Sequence, residues 1–207
     1  MPRTSTPAPK GGIDGKTGRA VNRARLRIIA VCCIAAAQLA GCQGTAAPAA
    51  VPQGSVAVYF SPHGGCTEAI VAEIAKARKT VKVQAYSFTS APIARALVEA
   101  KRRGVEVLVI LDKSQRTERG SMARFLQDAG VPVWIDALQG RGIAHSKIIL
   151  IDAPGSSGGT VITGSFNFTR SAEEENAENL LIIRGHADLM AAYLANFQER
   201  LGHAERF

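Results

Sequence analysis

Residues 145–152 read HSKIILID and place a His and a Lys two positions apart, just before four apolar residues. A run of this kind, rich in β-branched side chains, predicts a buried β-strand. Side chains alternate between the two faces of a strand, so His145 and Lys147 should point the same way. Asp152 has the opposite parity. We therefore expect His145 and Lys147 to act together and Asp152 to serve as a structural anchor.

The next segment, TVITGSFNF at residues 160–168, predicts another strand after the turn-rich loop APGSSGG. By the same alternation, Ser165 and Asn167 share a face. Two adjacent strands would then bring an imidazole, an ammonium, a hydroxyl and an amide to one patch. This set suits a phosphodiester, because it offers a nucleophile or base, a fixed positive charge and neutral donors. For an isolated H-x-K pair, the alternative is a hydrogen-bonded His beside a solvated Lys.

The order of elements along the chain predicts the fold class. Helical periodicity or capping appears at residues 70–74, 90–104, 121–130 and 187–201. Further strands are predicted at residues 56–60, 81–89, 105–112, 131–136 and 178–185. Strands that alternate with helices favour parallel pairing in the first half, and the consecutive late strands favour antiparallel or mixed pairing. We predict an α/β fold, a layered α/β/α sandwich with a mixed β-sheet.

The first 41 residues differ in charge from the rest of the chain. Seven of the 25 basic residues and one of the 17 acidic residues precede residue 42, so the net charge of +8 falls to +2 beyond it. The overall basicity is therefore poor support for nucleic-acid binding. The charged stretch precedes an apolar run, IIAVCCIAAAQLAGC at residues 28–42, which is shorter than the roughly 20 residues of a membrane-spanning helix. This pattern is typical of a secretory signal.

The ending LAGC resembles the lipobox of bacterial lipoproteins, in which Cys42 would be lipidated. The alternative is cleavage in the Ala-rich stretch after Thr45. We predict a signal peptide over residues 1–41, a flexible tether over 42–55 and a folded domain over 56–207. The protein would be exported to the periplasmic side of the bacterial cell envelope and anchored there as a lipoprotein. Cys66 stands alone in the domain, where we expect it to be packed, with an active-site thiol as the alternative.

The longer pattern around the His–Lys pair resembles a known family. HSKIILID fits H-x-K-x4-D, and GSFNFT follows it; together they resemble the HKD motif and the G-S-x-N element of the phospholipase D superfamily. The segments AYSFTS, ALVEAKRRGVEVLVILD, TGSFNFT and NAENLLII are similar to those of the small Nuc-type bacterial endonucleases. The resemblance spans most of the chain after residue 55. It implies that residues 56–207 are a phospholipase D-like catalytic domain.

The resemblance also implies roles for five residues. His145 would be the nucleophile that forms a phosphohistidine, and Lys147 and Asn167 would hold the phosphate oxygens. Ser165 would support that pocket by hydrogen bonding. Glu178 would orient the His through its second ring nitrogen, a common device for fixing a tautomer. The alternative for Glu178 is a solvated acidic residue beside the run EEEN.

The chain contains a single H-x-K-x4-D motif. The chemistry needs two imidazoles, one neutral for attack and one protonated for the leaving oxygen. A chain with one motif would borrow the second His from another copy, most simply across a two-fold axis. Lys147 from both subunits would then stabilise the charge that many phosphodiesterases neutralise with a metal. Neither a P-loop nor a Cys/His zinc pattern is present, so we predict a homodimer that needs no metal and no cofactor.

The motif specifies the bond that is attacked and leaves DNA, RNA and phospholipid open as substrates. Basic residues near predicted strand ends could form a rim that tracks a phosphate backbone without reading bases. This predicted rim consists of Lys113, Arg116, Arg119, Arg141 and Arg170. Solvated surface charge is the alternative for each. We expect a sequence-nonspecific endonuclease. The alternative is a phospholipase D that acts on phosphatidylcholine-type head groups, and a third interpretation is an inactive binding or scaffold protein.

Overall fold

The computed structural model describes residues 54–137, 142–154 and 158–207. The predicted signal peptide, nearly all of the tether and Arg141 lie outside these ranges. The described strands are β1 (Ser55–Ser61), β2 (Thr80–Ala85), β3 (Glu106–Asp112), β4 (Val133–Asp136), β5 (Lys147–Ile151), β6 (Thr160–Gly164), β7 (Glu178–Arg184) and β8 (Ala204–Arg206).

The helices connect and cover these strands. They are α1 (Cys66–Lys76), α2 (Ala91–Arg102), α3 (Ala123–Asp128), α4 (Arg170–Glu174) and α5 (Ala187–His203), together with a 3-10 helix at Lys113–Arg116. Within the described ranges, none of these helices is long and apolar enough to cross a membrane.

The strands form one sheet in the order β1-β7-β6-β5-β2-β3-β4-β8. β2, β3 and β4 run parallel to one another, and every other neighbouring pair is antiparallel. The predicted α/β class with a mixed sheet is therefore confirmed. Fewer strands of the first half pair in parallel than predicted. β1 pairs antiparallel with the late strand β7 and forms an edge of the sheet. Sequence order did not reveal this pairing, since β1 and β7 are more than 100 residues apart.

Each face of the sheet is covered by helices, which gives the predicted layering. On one face, Ile149 of β5 belongs to the core cluster that also contains the buried residues of α1, α2 and α3. On the other face, Ile148 and Leu150 pack in a second cluster with Met190 and Phe197 of α5. Full burial of a large apolar side chain contributes about 1.5–3 kcal/mol. The alternation along β5 therefore fixes its register between two helical layers.

All eight strands have one end along the same side of the sheet. β1, β2, β3, β4 and β6 end on this side, whereas β5, β7 and β8 begin there. We call this row of strand ends the active edge, as distinct from the edge strands β1 and β8. Asp152 follows the opposite end of β5, a five-residue strand. At about 3.3 Å per residue, this separates Asp152 from the active edge by roughly 16 Å.

The edge strand β1 exposes alternate apolar side chains. Val56, Val58 and Phe60 are 58%, 52% and 62% exposed, and we call them the β1 strip. Val56 lies opposite Ile183 of β7, which lies opposite Val161 of β6, a member of the cluster beneath α5. The strip is therefore on the α5 face of the sheet. α5 itself packs against β4, β5 and β6.

Several element bounds differ from the sequence predictions. β5 begins at Lys147 rather than at residue 145, and β6 ends at Gly164, before Ser165 and Asn167. The helix α4 and the strand β8 were not predicted. Cys66 is fully buried at the start of α1, and burial, followed by the nearby charge of Glu173, raises the pKa of its thiol to about 11. These surroundings fit a packed thiol that stays protonated.

Candidate active site

A cavity of about 650 Å³ opens at the active edge. All five residues with predicted catalytic roles line it, namely His145, Lys147, Ser165, Asn167 and Glu178. They come from the start of β5, the turn after β6 and the start of β7. Two separate segments of the sequence and the start of β7 are thus brought together in one concave site. The helix α5 adds Tyr193 and Asn196 to the lining, two residues that were not predicted from the sequence.

His145 and Lys147 are in direct contact. The Lys147 Nζ atom lies 3.0 Å from Nδ1 and 3.3 Å from Nε2 of the His145 ring, and it donates a hydrogen bond to the His145 carbonyl oxygen at 2.6 Å. An ammonium has donors only, so a ring nitrogen that faces it acts as an acceptor. A nucleophilic imidazole likewise needs a ring nitrogen with a free lone pair. The His145 side chain is exposed, whereas Lys147 is 6% exposed.

The electrostatics of Lys147 reflect its burial. Burial lowers the pKa of its ammonium below the usual value, and the nearby carboxylate of Glu178 acts in the opposite direction. Glu178 lines the same cavity. Among the described residues, the structure records no hydrogen bond between Glu178 and the His145 ring. The orienting role of Glu178 stays a prediction.

Ser165 and Asn167 lie in the turn after β6. The Ser165 hydroxyl oxygen accepts hydrogen bonds from the backbone N–H of Asn179 at 3.1 Å and from its side-chain amide at 3.2 Å. The side-chain oxygen of Asn167 is buried without a hydrogen-bond partner in the described part of the chain. Such an orphaned acceptor costs about 1–3 kcal/mol, and it marks Asn167 as a side chain still available to a bound molecule.

Asp152 lies outside the cavity and anchors the backbone. Its carboxylate accepts hydrogen bonds from the N–H groups of Arg78 at 3.0 Å, Lys79 at 2.7 Å and Thr80 at 3.2 Å. Burial alone would raise the pKa of this carboxyl, but these backbone donors outweigh burial and hold the pKa below its ordinary value. The structure thus places Asp152 at the junction between α1 and β2, away from His145 and Lys147 at the other end of β5.

None of the described members of the predicted basic rim lines the cavity. Arg116 pairs with Glu205 at 2.9 Å and Arg170 pairs with Glu174 at 2.6 Å, and these side chains are all well exposed. Exposed pairs of this kind contribute little to stability. Lys113 follows β3 at the active edge, Arg119 is exposed in the adjoining loop, and Arg141 is outside the described residues.

Tyr86 was not predicted as a site residue. It follows β2, and its backbone N–H donates to the Ser146 carbonyl oxygen at 3.0 Å. Its ring lies against the His145 ring, with the centroids 4.4 Å apart and the planes tilted by 48°. The Lys147 Nζ atom is 5.2 Å from the same ring centroid. One aromatic side chain therefore lies beside both the His145 imidazole and the Lys147 ammonium.

Asp112 was also missed. It is 1% exposed at the end of β3, and its carboxylate accepts hydrogen bonds from the backbone N–H of Ala144 at 2.7 Å and of Ser114 at 2.9 Å. The first contact fixes the residue before His145. Asp112 ends the strand predicted at residues 105–112, and the carboxyl ends of parallel strands are where ligand sites gather. That signal was present in the sequence for Asp112, whereas Tyr86 lies inside the strand predicted at residues 81–89 and follows β2 only in the structure.

Within the described ranges, no group of three or more His, Cys, Asp or Glu side chains is arranged to bind a metal ion.

Comparison with known proteins places this site in a family. Residues 70–201 match the family described as "Cardiolipin synthase, PLD-like domain". A protein named phospholipase D from Rickettsia prowazekii is 42% identical over 146 residues, which cover 70% of this chain and 67% of the relative.

Two solved structures share the fold over their whole length. Nuc from Salmonella typhimurium, a phospholipase D family member, is 35% identical, with a TM-score of 0.67 over 75% of this chain and 99% of its own. NucT from Helicobacter pylori is 25% identical, with a TM-score of 0.66 over 75% of this chain and 100% of its own. The resemblance to Nuc-type proteins is confirmed. With the family match, it shows that the chain belongs to the phospholipase D superfamily and is a phosphodiester hydrolase.

Proposed function

We propose that this protein is a sequence-nonspecific, metal-independent endonuclease that acts through a phosphohistidine in a homodimer. The observation that carries the proposal is the cavity at the active edge, where the fold brings His145 and Lys147 of the single H-x-K-x4-D motif together with Asn167. The structural match to Nuc, which extends over 99% of that chain, supports a complete domain of the same kind.

In the proposed reaction, neutral His145 attacks the phosphorus and forms a P–N bond while the bond to the leaving oxygen breaks. A second imidazole, protonated, gives its proton to that oxygen. Water then attacks the phosphohistidine and loses a proton to the second imidazole, which regenerates both His residues. The Lys147 ammonium and the Asn167 amide stabilise the charge on the phosphate oxygens in both transition states. Because these groups supply the positive charge and the donors, no metal is required.

The β1 strip supports the homodimer. Phe60 lies opposite Asn179, and Ser61, one residue further, lies opposite Glu178, which lines the cavity. The exposed apolar surface thus leads to the mouth of the site. A second copy that covered this surface would bring its own His145 towards the first, which is the source of the second imidazole.

Nucleic acid is the substrate we favour, because His145 is exposed at an open edge that a polymer backbone can reach without entering the domain. Phospholipid is the second candidate. The similarity to the Rickettsia prowazekii protein named phospholipase D favours it. So do the aromatic ring of Tyr193 and the apolar side chain of Ile148 in the cavity. A lipid on Cys42 would hold the enzyme on the periplasmic side of the cell envelope, close to such a substrate.

The test compares three substrates with one enzyme. The full chain, purified in detergent, is incubated with plasmid DNA, single-stranded RNA and phosphatidylcholine vesicles, with and without EDTA. We expect nicking and degradation of nucleic acid in EDTA, loss of that activity in His145→Ala, and retention in the matched control His203→Ala, which alters an exposed His on α5. Activity that disappears in EDTA and returns with Mg²⁺ would contradict the metal-independent mechanism. Hydrolysis of phosphatidylcholine alone would support the second candidate.

A further inference from the structure

The Tyr86 ring is shared by the two reacting side chains of the motif. His145 lies against it at a centroid distance of 4.4 Å, and the Lys147 Nζ atom lies 5.2 Å from its centroid. An ammonium within about 6 Å of an aromatic centroid is attracted by the negative face of the ring. The same ring therefore limits where the imidazole can turn and stabilises the charge beside it.

The backbone of Tyr86 strengthens this arrangement. Its N–H donates to the Ser146 carbonyl oxygen, so it is tied to the residue between His145 and Lys147. The ladder between β2 and β5 continues through this bond beyond its last paired residues, Ala85 and Lys147. The backbone of Tyr86 is thus fixed opposite Ser146, which keeps its ring beside His145 and Lys147. No hydrogen bond of the phenolic hydroxyl is recorded among the described residues, which leaves the ring itself as the group in contact.

We propose that Tyr86 is a positioning residue, whose ring holds the His145 imidazole and the Lys147 ammonium in their reactive arrangement. This inference rests on the proposed roles of those two residues. It adds a role for the segment AYSFT, which the sequence motif does not include.

The charge on Lys147 is the quantity that the ring should affect. Burial already lowers the pKa of Lys147, and Glu178 at the start of β7 partly opposes that change. The other titratable groups that face it are His145 and Tyr86. β6 contributes the neutral Thr163, the turn after it contributes Ser165 and Asn167, and α5 contributes Tyr193 and Asn196. Without the ring, the ammonium loses stabilisation and its pKa should fall further.

The activity test uses the full chain and bis(p-nitrophenyl) phosphate as a simple diester. We expect Tyr86→Leu to lower kcat roughly tenfold with little change in KM, because a cation–π contact of this geometry corresponds to about that factor. The alkaline limb of its pH–rate profile should move to lower pH. Tyr86→Phe should retain the wild-type kcat and the wild-type position of the alkaline limb. That result would also show that the limb does not arise from ionisation of the Tyr86 phenol. Tyr59→Leu, which removes a half-buried Tyr ring on β1, is the matched control and should leave the profile in place.

A second measurement does not depend on turnover. The chain has four His residues, so its imidazole ring protons give few NMR signals, and His145→Ala assigns the one of interest. The Tyr86 ring current should shift the His145 signals in the wild type and in Tyr86→Phe, and the shift should vanish in Tyr86→Leu. An unshifted wild-type signal, or a Tyr86→Phe variant as impaired as Tyr86→Leu, would overturn the proposal. If the wild type cleaves no diester at all, the proposed function fails. The NMR result would still show whether the Tyr86 ring lies against the His145 ring.

Discussion

Asp112 lines no part of the cavity, yet it binds the backbone of Ala144, the residue that precedes His145. Its carboxylate is 1% exposed and holds the Ala144 N–H at 2.7 Å. The second oxygen caps the 3-10 helix at Ser114. A buried N–H that loses its acceptor costs about 1–3 kcal/mol. The position of His145 is therefore coupled to the end of a strand two places away in the sheet.

We predict that Asp112→Leu lowers the free energy of unfolding by about 1–3 kcal/mol, because two backbone donors lose their acceptor. The rate should fall by up to about 100-fold, since an error near 1 Å in the position of a reacting group has that effect. Denaturant unfolding and kcat on a simple diester measure the two changes. Asp112→Asn keeps one acceptor oxygen and should lie between wild type and Asp112→Leu. Equal rates for all three proteins would show that the contact has no effect on His145.

Site residues that are neighbours along the chain could be predicted from the sequence, whereas those brought together across strands could not. His145 and Lys147 lie two positions apart on one chain segment, so alternation predicted their common direction. Ser165 and Asn167 reach the cavity although β6 ends at Gly164, so the alternation argument led to the right place without the strand that it assumed. Tyr86 touches His145 across strands, and such neighbours depend on the order of strands in the sheet.

The two ends of strand β5 have different roles: one end lines the cavity, and the other is followed by a carboxylate that binds the backbone before β2. Lys147 begins the strand inside the cavity, and Asp152 follows its end with a backbone φ of 56°. Asn and Asp tolerate this left-handed conformation better than other non-glycine residues. The substitution Asp152→Asn therefore keeps the backbone and removes only the charge, which makes it a clean probe of the anchor.

We predict that Asp152→Asn lowers the free energy of unfolding at pH 7 by about 2 kcal/mol, since hydrogen bonds to a charged acceptor contribute about 1.5–3 kcal/mol. The native pKa of Asp152 is depressed, so its stabilisation is complete above the ordinary Asp pKa of about 3.9 and is lost as the pH falls through the native value. The difference between mutant and wild type should shrink below about pH 4.

Denaturant titrations from pH 3 to pH 7 measure this difference, with Asp188→Asn, an exposed acidic residue in the first turn of α5, as the control. The kcat of folded Asp152→Asn should remain near that of the wild type. A large loss of kcat at unchanged stability would instead assign Asp152 a part in the reaction.

For the whole molecule, the β1 strip predicts which surface pairs two copies. Phe60→Lys should weaken the dimer and lower activity at dilute protein, because a charge would be placed in an apolar interface. Phe125 is 43% exposed on α3, in the opposite helical layer, so Phe125→Lys is the matched control and should stay dimeric. Light scattering and the dependence of rate on enzyme concentration measure both variants.

In the variant His145→Cys, the introduced thiols of the two copies should be joined by a short bifunctional thiol crosslinker. A wild-type monomer that is fully active at nanomolar concentration would contradict the composite site.

The leader carries a separate prediction. The ending LAGC predicts a lipid on Cys42, so the mature protein should partition into detergent and its terminal peptide should show the mass of an acylated Cys. Cys42→Ala should abolish both results. Cys33 lies within the predicted signal peptide, so Cys33→Ala should change neither. Mass spectrometry that found an unmodified terminus downstream of Cys42 would refute the prediction.

The two edge strands, β1 and β8, differ in how strongly they resist pairing with a strand of another molecule. β8 is only three residues long and includes Glu205 and Arg206, and short, charged edges resist the addition of another strand. β1 reads SVAVYFS over seven residues, with no charge and no proline, which is the composition of segments that aggregate. A chain that is kept apart from its partner should therefore be prone to precipitation. Variants designed to isolate the monomer should add charge to β1, so that a loss of activity is not mistaken for a loss of soluble protein.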